Sequence, residues 1–471
     1  MTIDKLPDDV LLEIFDWYLE ENPGIDELED WHTLVHLSRK WRNLVLQSPR
    51  RLNLRLLCDG RRPFREKLNI WPPLPIVVYG WKHEIPGFAD IVTAFEHNDR
   101  ICQVLLSDFS SSLLERVLAL MQQPFPALIS LSLSSDDNEA PALSDSFLGG
   151  SAPSLQYLQL HCIPFQELPK LLMSATGLVT LRLHRIPHSG YFSPDAMIIV
   201  LSASTRLEEF ELTFQSPRSR PDREPIRPLP STRSVVQSLN HFKFHGVSEY
   251  LEDLVARIDA PLLDLLDITF FHQVIFHTPQ LAQFISRTPQ FKTNDEARVA
   301  FYSMTAVVTL SSPQMRHRVL ELKISCSKSD WRLSSMAQIC SSSLSLISSL
   351  ERLYVYERED VQSCWKDLGE ESDDIENTQW LELLRPFASV KALYLSREFT
   401  PRIAPALQEL VGGRAAEVLP VLKGLFLERA ERLHSESSTG VQEAIEMFVA
   451  ARQLSGHPIT ISYWDRKQVK R

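Results

Sequence analysis

His32 and His36 lie four residues apart in a stretch of helical spacing, which would set two imidazoles on one helix face as a zinc site requires. Thr33 stands where a zinc protease carries its glutamate, so the pair reads as solvated or partner-facing histidines. His241 and His245 alternate with Phe242 and Phe244. The two-residue period of a strand puts both imidazoles and Lys243 opposite the core, a surface pattern and not a metal site. Cys58, Cys102, Cys162, Cys326, Cys340 and Cys364 form no C-x-x-C pair and have no recognisable histidine partner, so they read as reduced, mostly buried thiols. No G-x-S-x-G elbow or phosphate-cradling motif occurs, and 15 glycines in 471 residues leave few places where backbone could approach a nucleotide. No catalytic residue, metal ligand or cofactor is assigned, and the chain is expected not to be an enzyme. A site assembled from distant residues would show itself as a deep polar pocket with perturbed titratable groups.

Composition narrows the partners. The net charge of -11 and pI near 5.7 argue against nucleic acid or an anionic membrane as a ligand, since either needs a basic face. A hydrophobic content of 44% is that of a folded chain. The N-terminus is polar and acidic where a signal peptide would be basic and then apolar, and no apolar run reaches the ~18 residues that span a membrane. With the cysteine pattern, these features point to the cytoplasm or nucleus.

The elements that could position a binding surface begin at once. Pro7 suits the first turn of a helix and Asp8 and Asp9 follow where the positive helix end favours carboxylates. Val10, Leu11, Ile14, Phe15, Tyr18 and Leu19 recur at one-face helical spacing until Asn22-Pro23-Gly24 breaks the pattern. Leu34, Leu37, Trp41, Leu44 and Val45 give a second helical period that ends at Ser48-Pro49. So short a unit has more apolar surface than it can bury alone, which calls for a partner. The runs Leu6-Pro7-Asp8-Asp9-Val10-Leu11-Leu12-Glu13-Ile14-Phe15 and Leu37-Ser38-Arg39-Lys40-Trp41-Arg42-Asn43-Leu44-Val45 resemble the F-box family. That resemblance implies an all-α module over residues 1–50 that docks on a Skp-type adaptor and so joins a cullin scaffold in a ubiquitin ligase. The adaptor-binding residues it implies are Leu6, Pro7, Val10, Leu11, Ile14, Phe15, Leu37 and Trp41, some of which must also form the module's own core.

Residues 51–98, rich in proline and tryptophan, read as an irregular linker and N-terminal cap. From 99 to 465 a pattern of apolar, two free, apolar, one free, apolar recurs. Instances such as Ile101/Val104/Leu106, Leu128/Leu131/Leu133, Leu155/Leu158/Leu160 and Leu178/Leu181/Leu183 start roughly 23–32 residues apart, near the leucine-rich-repeat period. The expected fold is α/β: a degenerate leucine-rich solenoid with parallel strands on a concave face and helices on a convex face, in which each repeat buries its neighbour. The gap between Leu263 and Val319 leaves room for two units. A Pro-rich insertion near 216–231 and an acidic one near 357–376 interrupt the period.

Strand parity assigns the outward side chains. Ser132, Gln159 and Arg182 in early strands and Glu211, Lys243 and Asp267 in middle ones give way to Tyr354, Tyr356, Tyr394 and Phe426, a candidate substrate-binding set, because clustered aromatics are typical of binding hot spots. The whole layout resembles the expanded F-box and leucine-rich-repeat families of mushroom-forming fungi. It implies a substrate-recognition subunit of a Skp/cullin/F-box ubiquitin ligase that recruits an unknown target protein. The alternative is a leucine-rich binding scaffold without a ligase connection.

Overall fold

The computed structural model describes residues 3–20, 29–81, 87–137, 140–164, 170–217, 233–273, 275–302, 305–312, 319–325, 329–344, 350–357, 377–410, 414, 416–429 and 437–465. The chain divides into two compact units, Met1–Leu207 and Glu208–Arg471. The Pro-rich insertion lies outside the described residues apart from 216–217, and so does the acidic one apart from Glu357.

The first unit opens with three helices: α1 (Asp8–Glu20), α2 (Trp31–Leu37) and α3 (Arg39–Gln47). Pro7 sits one residue outside α1, its carbonyl accepting from Leu11 N at 3.1 Å. Ser38 alone separates α2 from α3, and its hydroxyl caps α3 by accepting from Trp41 N at 3.2 Å. Strands and helices then alternate, except that a 3-10 turn (Phe147–Gly150) replaces the helix between β4 and β5: β1 (Leu56–Cys58), α4 (Phe64–Ile70), β2 (Ile76–Trp81), α5 (Phe88–Phe95), β3 (Ile101–Phe109), α6 (Ser111–Leu120), β4 (Ser130–Ser135), β5 (Tyr157–His161), α7 (Lys170–Ser174), β6 (Thr180–Ile186) and α8 (Pro194–Ala203). All adjacent pairs from β1 to β6 are parallel. The repeat pattern becomes the core, since Val104, Leu131, Leu158 and Leu181 form one register row, Leu106, Leu133, Leu160 and Leu183 the next, and all eight are buried. The stack starts earlier than the sequence pattern: residues 51–98, expected to be irregular, carry β1 and β2. Their apolar runs Leu56-Leu57-Cys58 and Ile76-Val77-Val78 are buried on both faces, so they lack the alternation that marks a half-exposed strand.

The second unit contains β7 (Glu209–Phe214), β8 (Ser234–Val235), β9 (His241–Gly246), α9 (Ser248–Val255), β10 (Ile258–Asp259), β11 (Leu265–Phe270), α10 (Pro279–Arg287), β12 (Glu296–Phe301), β13 (Thr305–Ser311), β14 (Val319–Ser325), α11 (Ser329–Ser343), β15 (Arg352–Glu357), α12 (Asn377–Leu384), β16 (Ala392–Leu395), α13 (Thr400–Gln408), β17 (Gly424–Glu428), α14 (Ser437–Leu454) and β18 (Thr460–Trp464). β7, β9, β11 and β14 are successive parallel neighbours, as are β12, β15, β16, β17 and β18. Between them β13 runs antiparallel to both β12 and β14, which corrects the expectation of parallel strands throughout. The cause is connection length: a parallel neighbour needs a crossover of a dozen or more residues, whereas Tyr302 N bonds Thr305 O at 2.8 Å and turns the chain straight back. The gap from Leu263 to Val319 therefore holds β11, α10 and a hairpin, and β14 pairs directly with β11.

Candidate docking surfaces

The N-terminal module is built on its aromatic residues. Phe15 and Trp41 meet at 4.8 Å between ring centroids, and with Leu11, Leu34, Val35, Leu44 and Val45 they are buried. Lys40 ties α3 to α1 by donating to Leu6 O at 2.8 Å and pairing with Asp8 at 3.1 Å. Of the eight residues expected to bind an adaptor, Leu11, Phe15 and Trp41 are interior, and Leu6 is half-buried. Pro7, Val10, Ile14 and Leu37 are exposed, Leu37 at 62%. Trp17, 64% exposed, completes the outer stripe. Val10, Ile14 and Trp17 are spaced i, i+4 and i+7, so they lie on one face of α1. The sequence reading missed Trp17, although its place three residues after Ile14 and seven after Val10 is the signal that could have found it.

The module is anchored to the first strand through polar groups. Glu29 accepts from Leu57 N at 3.1 Å and from Lys67 Nζ at 3.0 Å on both carboxylate oxygens, and Trp31 Nε1 donates to Arg55 O at 3.1 Å. His32 stacks on Trp71 at 4.6 Å, and Trp71 also meets His36 edge-on. Burial, then Lys67, His36 and Arg62, hold the His32 imidazole at about 4, so it is neutral at physiological pH. Cys58, Cys102, Cys162 and Cys340 are buried, unpaired thiols, and burial raises each above its ordinary value; Cys326 and Cys364 lie outside the described residues.

In the second unit, parity set the aromatic residues correctly on one face. Tyr354, Tyr394 and Phe426 are in register across β15, β16 and β17 and stack at 4.3 and 4.4 Å with interplanar angles of 15° and 14°. Tyr356 sits two residues along β15 in register with Ala300. The sequence reading missed Trp464, whose ring crosses this face edge-on to Tyr354 and Tyr394 at 5.9 and 5.7 Å while Nε1 donates to Leu395 O at 3.1 Å. Tyr354 and Trp464 are thus buried, while Tyr394 and Phe426 keep partial access. Burial, then Tyr394 and Glu296, push the Tyr354 phenol up to about 12. The same face carries paired charges toward β7: Lys243 lies 3.5 Å from Glu211, and Lys323 donates to Asp267 at 3.1 Å and pairs with Glu321. Glu209, Glu211 and His241 bring donor atoms within 4.8 Å of one another, a set of types that hold divalent cations, although Lys243 already gives Glu211 its countercharge.

Among the described residues, no helix is long and apolar enough to cross a membrane. No family model matches the chain, and no curated protein matches it. Among solved structures the chain is similar to the leucine-rich repeat-containing protein LegL7 from Legionella pneumophila, with 13% identity over 73% of this chain and 95% of that one and a TM-score of 0.26. The apolar pairs in register on one face of the parallel strands β3 to β6 are the arrangement expected of a leucine-rich solenoid.

Proposed function

We propose that the chain is the substrate-recognition subunit of a Skp/cullin/F-box ubiquitin ligase. Its N-terminal module docks on a Skp-type adaptor and through it on a cullin scaffold, while the strand faces hold a target protein. The chain itself catalyses nothing and works in the cytoplasm or nucleus by proximity, raising the local concentration of target at the ligase. The observation that carries this reading is the outer stripe of α1: Val10, Ile14 and Trp17 are exposed above a core already filled by Leu11, Phe15 and Trp41. Exposed apolar side chains grouped on one helix face mark an interface, and burying a tryptophan is worth ~2 kcal/mol or more.

A scaffold without a ligase connection is the second reading, favoured by the Glu29–Lys67 anchor, which suits a helical cap on the first repeat equally well. Co-purification of the full chain with a purified Skp-type adaptor and cullin separates the two. A ternary assembly is expected under the ligase reading, and a folded chain that elutes alone would leave the scaffold.

A further inference from the structure

The face of β2 to β6 opposite the leucine core changes character from one side to the other. Tyr79, Leu105, Ser132, Gln159 and Arg182 form one register row, apolar at β2 and cationic at β6. One step toward the strand ends, Ser134, His161 and His184 are in register, and Trp81 of β2 is 57% exposed. Trp81 does not hang free: its Nε1 donates to Asp108 at 2.8 Å. Asp108 sits where the β3–β4 register shifts, at φ +60°, a conformation that costs an aspartate energy. Its carboxylate also accepts from Ser134 Oγ at 3.5 Å, and Ser134 Oγ is 3.3 Å from His161 Nδ1. A strained bulge thus joins an exposed indole to His161 by hydrogen bonds, and the His184 ring lies edge-on to His161 at 6.3 Å. Exposed Arg185 lies close enough to His161 to depress its basicity, after burial and ahead of His184. In a chain of net charge -11, Arg182 and Arg185 bring two guanidinium groups to the β6 side of this face, while the one carboxylate in the hydrogen-bonded chain, Asp108, lies toward Trp81.

We infer that this face receives an extended segment of the target protein, with an apolar or aromatic residue seated on Trp81 and a carboxylate reaching Arg182, Arg185 and the two histidines. Four strand spacings of ~4.8 Å span ~19 Å, which an extended chain covers in about six residues. The inference rests on the reading of the strand faces as target-binding. It uses none of the α1 residues, so a chain that docks on the adaptor yet fails the following test overturns this inference alone.

The test is selection of a random dodecapeptide library on the immobilised full chain. Enriched sequences should pair an apolar residue with aspartate or glutamate five to seven positions away. Their affinity should fall at least tenfold for Trp81→Ala and for Arg185→Glu, both exposed positions, with the unfolding transition unchanged. A peptide with lysine in place of the carboxylate should not bind the unmodified chain, which keeps the test decisive even if a variant fails to fold. No enrichment, enrichment without acidic bias, or equal binding by folded variants would overturn the inference.

Discussion

Replacing Lys67 by methionine tests how the helical module is held to the strands. Lys67 Nζ donates to both oxygens of Glu29 at 3.0 Å, to Leu57 O at 2.7 Å and to Asp59 at 3.4 Å. The lysine and Asp59 side chains are 7% and 6% exposed, and Glu29 is 19% exposed. Methionine keeps much of the stem's volume but removes the ammonium, leaving two carboxylates without a shared countercharge and a carbonyl without a donor. Removing one partner of a buried ion pair costs about 3–5 kcal/mol. Glu29 keeps some water, which places the cost at the low end of that range, ~3 kcal/mol. Local opening should then become roughly a hundredfold more frequent. Hydrogen exchange at the Leu57 amide, which donates to Glu29, reads that opening directly. The triple change Glu29→Gln, Asp59→Asn, Lys67→Met leaves no buried charge and should recover most of the protection. Exchange in Lys67→Met within about threefold of the unmodified chain, or a triple variant no better than the single one, would refute the reasoning.

The His32 imidazole, held at about 4 against an ordinary 6.5, accepts a proton less readily folded than unfolded. Its stabilisation is therefore intact above 6.5 and lost as pH falls toward 4; at a side chain 23% exposed, screening leaves an effect of ~1–2 kcal/mol. His32→Gln should flatten the denaturation midpoint across that window, and an unchanged acid slope would contradict this. Trp464→Ala should uncover Tyr354 and Tyr394, cost about 2–3 kcal/mol and bring the Tyr354 phenol down from about 12 in an ultraviolet titration; a phenol that stays put would mean that Trp464 does not bury it. At Gly246 a Cβ would meet the Phe244 ring at 2.6 Å and the Phe214 ring at 3.0 Å, so Gly246→Ala should cost about 1–3 kcal/mol by denaturation, and a neutral result would show that the rings can part.

The repeat core was legible because each strand writes its own signal: Leu158 and Leu160 alternate with Gln159 and need no distant partner to be recognised. β12 and β13 were not, because a hairpin of Ala297, Val299 and Phe301 against Ala306, Val308 and Leu310 lacks the spacing of a strand–helix repeat. The Glu29–Lys67 anchor joins residues 38 apart in sequence, and no local period encodes such a pair. On the docking surfaces, residue type and phase placed the apolar positions of α1, but which of them turn inward depends on α3, whose Trp41 covers Phe15 and leaves Ile14 and Trp17 outside. The aromatic face failed in the opposite sense: parity put Tyr354 outward correctly, yet Trp464 reaches across to cover it.

The proposed function requires the outer stripe of α1 to be an interface. The most direct measurement is calorimetric titration of the full chain with a purified Skp-type adaptor, beside a Val10→Ala/Ile14→Ala/Trp17→Ala variant whose unfolding transition matches. Losing those contacts should cost about 2–4 kcal/mol, a weakening of roughly thirty- to a thousandfold. Equal affinity in the folded variant, or no heat of binding from the unmodified chain, would contradict the account.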